Sequence, residues 1–594
     1  MKEMIKERLQ LLRGEMTKEG IDCYLIFTSD HHQSEYVDNA FKTRAYISGF
    51  TGSAGTVAVM QERAILWADG RYHVQAAHQI EGTGIELFRQ GITGVPTLKE
   101  FLRDAIKEEV VVACDGRTIS ASYCKELAEA VSPGILRTDI DLFVKIWTDR
   151  PKITARPVYE LPLTVSGKSR IDKIDHIRRK IKEKDAEAYV LADLSSVMWL
   201  FNIRGSDVTC NPVAFSYAYI TPREAYLFLQ NDVLNAEVRA ALTADGVFVL
   251  PYEEAENFFA NITGLNILAD PDELNSRNEA ILSSHNRIIP VKNHEMTPKQ
   301  IKNETEITLA RKFHVADAVS VIRFIRYIKD AVNKEELTEC DAAAYIDRLR
   351  SENEGYTDLS FETICAYGPN GAIIHYAPEE NSCAALKPEG FLLVDSGAQY
   401  LGATTDITRT IALGPLKEIE KRDYTAVLKA VIALANAKFI EGVSGANLDI
   451  LARGPIWNLG LDYRHGTGHG IGAFLNVHEG PQNFRYKTPD HEPAPIMPGM
   501  ITSDEPGIYI ENSHGIRIEN ELLCIPYLEN EWGKFHAFET LTLVPFEREA
   551  ILTSMLEQSE IDWINDYHER VYETISPYLE DDEKAWLETV VRPL

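Results

Sequence analysis

The stretch FLLVDSGAQYLGATTDITRTIAL, Phe391 to Leu413, reads as two apolar, β-branched strands around a turn. Asp395 ends the first apolar run, and Asp406 lies eleven residues later inside the second. An Asp that follows four apolar residues is costly to bury without a partner. Taken alone, Asp395 reads better as a strand-end residue that starts the turn at Ser396 and Gly397, and the second Asp is what shifts the balance. A turn near Gly402 makes the two segments an antiparallel hairpin, which can bring both carboxylates to one face. Two like charges held that close raise one pKa strongly, and a bound cation removes the conflict.

Further along, HGTGHGIGAFLNVHEGP, His465 to Pro481, packs three histidines and five glycines into 17 residues. Its alternating glycines exclude a stable helix, so this is not the two-His helix of a zinc protease. The competing reading is a Gly-rich turn with exposed histidines. In ITSDEPGIYI, Glu505 ends a strand and is locked by Pro506 and Gly507. HGIRIENELL places Glu519 in a strand among Ile516, Ile518 and Leu522. Arg517, two residues earlier, would share its face and can pair with it; a salt-bridged strand face is the bland alternative. Four carboxylates and an imidazole suit Mn²⁺, Co²⁺ or Fe²⁺ better than a thiolate zinc site. Bridging carboxylates of this kind hold two ions about 3.5–4 Å apart in two-metal hydrolases.

Around these motifs, 594 residues are too many for one core. Two Pro- and Lys/Arg-containing passages, Thr148 to Lys168 and Val291 to Asn303, read as linkers. The expected domains are residues 1–155, 156–300 and 301–594. The first two each open with a charged helix (Lys6 to Glu19; Ile171 to Lys184) and an apolar strand (Ile21 to Phe27; Ala186 to Ala192). Both continue with an aromatic segment and another strand, so they read as α/β domains related by duplication or by convergence. The third begins with helices over Thr305–Lys329 and Thr338–Ser351 and turns strand-rich, with a helix expected over Asp423–Ile440. Its tail, Ser554 to Leu587, is charged and helical, with a break expected at Pro577.

Ninety Asp and Glu against 61 Lys and Arg leave a net charge of −29. Such a surface disfavours nucleic acid and anionic lipid as partners. None of the eight cysteines forms a C-x-x-C pair. The first twenty residues lack the apolar core of a signal peptide, and no run of about 18 apolar residues occurs. A cytoplasmic protein is expected.

Asp395, Asp406, His469, Glu505 and Glu519, in that order, resemble the metal-binding set of the pita-bread metallopeptidases. These include methionine aminopeptidase, prolidase, aminopeptidase P and creatinase. RAYISGFTGSAGT (Arg44 to Thr56), LWADGRYHVQAA (Leu66 to Ala77) and the His465–Pro481 loop are similar to the three-domain cytosolic aminopeptidase P branch. The likeness covers essentially the whole chain. It implies two related N-terminal α/β domains followed by a pita-bread catalytic domain with two pseudo-symmetric halves, hence a mixed α/β and α+β fold. It also implies two divalent ions, usually Mn²⁺ (Co²⁺, Fe²⁺ or Zn²⁺ being alternatives), with Asp395 on one, His469 and Glu505 on the other, and Asp406 and Glu519 bridging. The implied activity is hydrolysis of the bond between an N-terminal residue and a following proline, by a hydroxide that bridges the ions. Glu505 would shuttle the proton, and His375 and His478 would stabilise the oxyanion. His375, His465, His478 and Arg71 would face peptide, with Arg517 and Tyr509 supporting the ligands. A satisfied strand-end histidine and a surface arginine after a turn are the plain readings of His375 and Arg71. A homodimer is implied as well. The alternatives are an Xaa-Pro dipeptidase (prolidase) and a non-catalytic peptide- or protein-binding member of the fold.

Overall fold

The computed structural model describes residues 1–106, 110–380, 382–487 and 493–594. It divides into an N-terminal unit (1–163 with 168–298) and a second unit (164–167 with 299–594), the one expected to be catalytic. No helix among the described residues is long and apolar enough to cross a membrane.

The N-terminal unit holds two six-stranded sheets. The first comprises β1 (Cys23–Phe27), β2 (Thr56–Met60), β3 (Ala64–Ala68), β4 (Glu86–Arg89), β5 (Val111–Ala113) and β6 (Ile135–Arg137), in the order β4-β3-β2-β1-β5-β6. β1–β2 and β2–β3 are antiparallel, while β3–β4, β1–β5 and β5–β6 are parallel. Taken in chain order, the six strands of the second sheet, from Ala188–Leu191 to Arg287–Pro290, repeat both that order and that pattern of directions. The helices that follow the fifth strand of each sheet, Ala121–Val131 and Ser276–Ser283, are N-capped by Ser120 and Asn275. Those two caps form an antiparallel bridge, so the sheets meet at equivalent points. The opening helices run over Lys2–Glu19 and Arg170–Glu183. The passages read as linkers contain short elements, a two-residue strand at Tyr159–Glu160 and one-turn helices at Leu163–Ser166 and Asn293–Met296.

In the catalytic unit two helices followed by antiparallel strands occur twice. The first set starts with Glu304–Ala331, where Asn303 and Glu306 form a reciprocal cap that satisfies the first N–H groups. Glu339–Ser351 follows, and then a sheet in the order Ile364–Tyr367, Phe391–Ser396, Ile407–Ala412. The second set has helices Glu418–Ala435 and Gly445–Trp457, and a sheet containing Ile501–Asp504 and Asn520–Asn530. The helix expected over Asp423–Ile440 is shifted. Its acidic first turn, with Glu418 and Glu420, suits the positive helix end, and Lys438–Ile440 pairs instead with the strand Gly533–Thr540. Leu392, Ile411, Val427, Val431, Ile456 and Leu522 are fully or nearly fully buried in one core. Each such side chain contributes about 1.5–3 kcal/mol through burial. This core holds the strand ends that carry the acidic residues. The tail is two helices, Gln558–Ile575 and Asp581–Val590, with a short 3₁₀ turn at Pro577 between them.

Candidate metal centre

Strand pairing places the first two carboxylates. Asp395 lies opposite Thr408 in the antiparallel pair Phe391–Ser396 with Ile407–Ala412. Asp406 stands one residue before that second strand rather than inside it, because its N–H leaves the ladder and donates to Glu521 Oε1 at 2.7 Å. Glu519 likewise falls between the strands His514–Arg517 and Asn520–Asn530. Its N–H donates to the Thr408 carbonyl at 3.1 Å and Thr408 Oγ1 donates to its Oε2 at 2.7 Å, so it bridges the two halves of the unit.

The Gly-rich loop is fastened to the strand Ile501–Asp504 and to Glu505, the residue just after it. Glu505 N–H donates to the Thr467 carbonyl at 2.7 Å, and His469 N–H donates to Ser503 Oγ at 3.0 Å. A Cβ at Gly468 would overlap the Ser503 carbonyl oxygen, so only glycine lets the loop approach this closely. Arg453 holds the loop from behind through the His465 and Tyr463 carbonyls, at 2.8 and 3.0 Å. Lys299 and Lys302 clasp Glu479, next to His478, at 3.0 and 2.5 Å.

These elements bring the five ligand candidates together. Single ligand atoms of Asp406, His469 and Glu519 all lie within 4.8 Å of one another. His469 Nε2 is 3.5 Å from both Asp406 Oδ2 and Glu505 Oε1. Burial first, and then the neighbouring carboxylates, pushes Asp406 and Glu519 well above the usual carboxylate range. Burial, reinforced by Asp395 and opposed by Arg517 and His478, raises Glu505 to about 7. Asp395 Oδ1 and Glu519 Oε1 are buried without a protein hydrogen-bond partner. Crowded carboxylates with orphaned oxygens beside an imidazole fit hard divalent cations, which favour every one of those groups in its ligating form.

The pairing expected between Arg517 and Glu519 is not what forms. Glu519 does not continue the strand of Arg517, so the shared-face argument lapses, and Arg517 Nη2 donates to Asp395 Oδ2 at 2.5 Å. Its Nη1 donates to Tyr509 Oη at 2.8 Å, and Tyr509 Oη meets His465 Nε2 at 2.9 Å. His465 Nδ1 lies 2.7 Å from the Gly466 carbonyl and must donate there, so Nε2 accepts from Tyr509. That relay fixes the orientation of His465. The His478 ring stands edge-on to His469, centroids 4.2 Å apart. His375 is half-buried, one residue after the Ile374 carbonyl that Arg517 also reaches at 3.4 Å. Arg71 lies in the N-terminal unit, and its fork is taken up by Asp69 at 3.0 and 2.9 Å. Arg117 clasps Asp115 in the same way, so the Asp-Gly-Arg turn accounts for this geometry locally.

Thr408, Glu521 and His314 support the site and were not singled out from sequence. His314 Nε2 stands 3.0 Å from Glu521 Oε2. The one available signal was spacing, since Thr408 and Glu521 each lie two residues beyond an acidic ligand candidate.

Models of known families match along the chain. Residues 8–145 and 149–306 match the creatinase/prolidase N-terminal domain, 308–526 match metallopeptidase family M24, and 534–594 match the C-terminal region of peptidase M24. A probable Xaa-Pro aminopeptidase P of Aspergillus clavatus is 37% identical over 99% of this chain and 93% of its own length. The chain belongs to the Xaa-Pro aminopeptidase P family. An X-prolyl aminopeptidase from Caenorhabditis elegans, described as a cytosolic enzyme with a di-nuclear active site, superposes with a TM-score of 0.93 at 32% identity, covering 99% of this chain and 100% of that one. An Xaa-Pro dipeptidase from Bacillus anthracis covers 64% of this chain and 99% of its own at 24% identity and a TM-score of 0.50, a likeness of fold alone. Within the aminopeptidase P family the architecture is thus two creatinase-type domains ahead of an M24 pita-bread domain.

Proposed function

We propose that the protein is a metal-dependent Xaa-Pro aminopeptidase, removing the N-terminal residue from peptides with proline in the second position. The observation that carries this reading is the convergence of Asp395, Asp406, His469, Glu505 and Glu519 in one buried cluster, on a chain of the aminopeptidase P family. Asp395 would hold one divalent ion, His469 and Glu505 the other, and Asp406 and Glu519 both. Bound there, such ions lower the pKa of water and polarise the scissile carbonyl. Oxygen-rich ligation with a single imidazole makes manganese our choice of metal.

The chain's own groups do the rest. Glu505 accepts a proton from the attacking water and passes it to the leaving proline nitrogen. His375 and His478 donate to the developing oxyanion, and His465, held by Tyr509 and Arg517, lines the substrate side. The bond before proline lacks an N–H and has a restricted backbone, which calls for a dedicated site. Residues 301–594 would form the working catalytic domain, with 1–155 and 156–300 as the two accessory domains. A cytoplasmic homodimer completes the reading.

Assaying Gly-Pro beside a longer Xaa-Pro-Pro peptide tests it. Release of the first residue from the longer peptide is expected. Activity on the dipeptide alone would favour a prolidase and overturn the assignment.

A further inference from the structure

Two of the eight cysteines face each other on the catalytic unit. Leu386 N–H donates to the Leu337 carbonyl at 2.7 Å and Glu339 N–H to the Ala384 carbonyl at 3.0 Å, on either side of the antiparallel pair Thr338–Ala385. Cys340 is the second residue of the helix Glu339–Ser351, and this pairing brings the start of that helix against the segment that holds Cys383. The two thiols already hydrogen-bond to each other, and both residues are half-buried, whereas Cys23, Cys114, Cys210, Cys365 and Cys524 are buried.

Their surroundings give the pair distinct roles. Burial, the bond to Cys383 and the nearby Glu339 and Asp341 carboxylates push the Cys340 thiol up to about 12. The hydrogen bond from Cys340 draws the Cys383 thiol below its ordinary value. Cys383 is therefore the nucleophile and Cys340 the resolving thiol. Next to Cys340, the buried Glu339 carboxylate gathers Tyr367 N–H (2.6 Å), Asn370 Nδ2 (3.0 Å), Tyr376 Oη (2.7 Å) and Ala384 N–H (2.7 Å). Glu339 thus anchors the turn that ends beside His375.

We propose that Cys340 and Cys383 are a redox modification site, forming a reversible disulfide with hydrogen peroxide or a small-molecule disulfide and fastening the His375 turn to the start of the helix Glu339–Ser351. With peroxide, the Cys383 sulfur attacks one oxygen and the O–O bond breaks. The departing hydroxide takes up the Cys383 proton as water, and a sulfenic acid remains. The Cys340 sulfur then attacks the sulfenic sulfur. The S–S bond forms, the S–O bond breaks, and a second water leaves with the Cys340 proton. Two thiols lose two electrons and peroxide becomes two waters. With a small-molecule disulfide, the Cys383 sulfur attacks one of its sulfurs and the other leaves as a thiol with the Cys383 proton. The Cys340 sulfur then displaces the second thiol, which leaves with the Cys340 proton.

The metal-loaded enzyme is treated separately with hydrogen peroxide and oxidised glutathione, its remaining thiols are blocked, and its peptides are mapped by mass spectrometry. A Cys340–Cys383 cross-linked peptide that dithiothreitol releases is expected with both oxidants. Cys340→Ser should give no cross-link and leave Cys383 as a glutathione adduct. Free thiols at both positions, or separate over-oxidation of each, overturns the pair. KM for an Xaa-Pro-Pro peptide is expected to shift about threefold or more between reduced and oxidised wild type, with kcat moving less and Cys340→Ser unresponsive. An unchanged KM overturns the link to the His375 turn.

Discussion

Asp406 ties the two halves of the catalytic unit together at one residue. Its N–H is held by Glu521 and its carboxylate faces His469. Asp406→Asn keeps the shape and the backbone hydrogen bond but removes the charge that cations require. Cleavage of an Xaa-Pro-Pro peptide should fall by about 10³-fold or more, equivalent to about 4 kcal/mol of lost barrier reduction. Bound metal per chain, read by elemental analysis, should drop below that of the wild type. An unchanged rate would show that the cluster is not the reaction centre. Residues of this kind were legible because each breaks its local pattern: an acid at the end of an apolar run, a histidine among glycines. Arg517 was misread for a physical reason. A shared strand face applies only while the strand continues, and here the chain leaves the ladder at Glu519 to donate to Thr408. The true partner, Asp395, is 122 residues away in sequence, and no local rule connects them.

The Gly-rich loop and the strand Ile501–Asp504 act as one element, joined by the Glu505–Thr467 and His469–Ser503 bonds. Gly468→Ala puts a methyl group into the Ser503 carbonyl and should force the loop outward. An overpacked site of this sort costs about 1–3 kcal/mol. The thermal midpoint should fall, and kcat should fall further than stability explains, since His469 and Glu505 separate. An alanine variant with wild-type melting and turnover would mean that the close approach is unimportant. At this scale many helices and strands were readable from periodicity, with errors of a few residues at their ends. Only one helix was expected where two form, however: Gly445–Trp457, with Gly454 and Pro455 inside it, was not anticipated. The strand order β4-β3-β2-β1-β5-β6 and its repetition in the second sheet were not readable, because order is set by long-range pairing while the residues that form the pairs differ. The buried set His314–Glu521 was hidden for the same reason, as its members are 207 positions apart and pair only in the folded unit.

Across the whole molecule, a chain with net charge −29 also concentrates acid in its interior. That combination has a sign. Glu505 titrates near 7 in the folded protein against an ordinary value of 4.5. Between those values the folded chain keeps a proton that the unfolded chain releases, so without metal its stability falls as pH rises through that window. Burial and the neighbouring carboxylates raise Asp406 and Glu519 as well, so both add a loss of the same sign as pH rises. Divalent cations act in the opposite sense. They bind the ionised carboxylates, so their affinity grows with pH. At 100-fold excess over Kd, one site adds about 2.7 kcal/mol to the folded state. Melting temperatures of chelator-treated and manganese-loaded protein, measured from pH 5 to pH 8, should therefore diverge: the metal-free curve falls and the gap widens. A gap that stays constant or narrows would mean that the cluster neither stores this repulsion nor relieves it through cations. The test separates an acidic surface, whose repulsion salt screens in both forms alike, from an acidic interior that only a bound ion can neutralise.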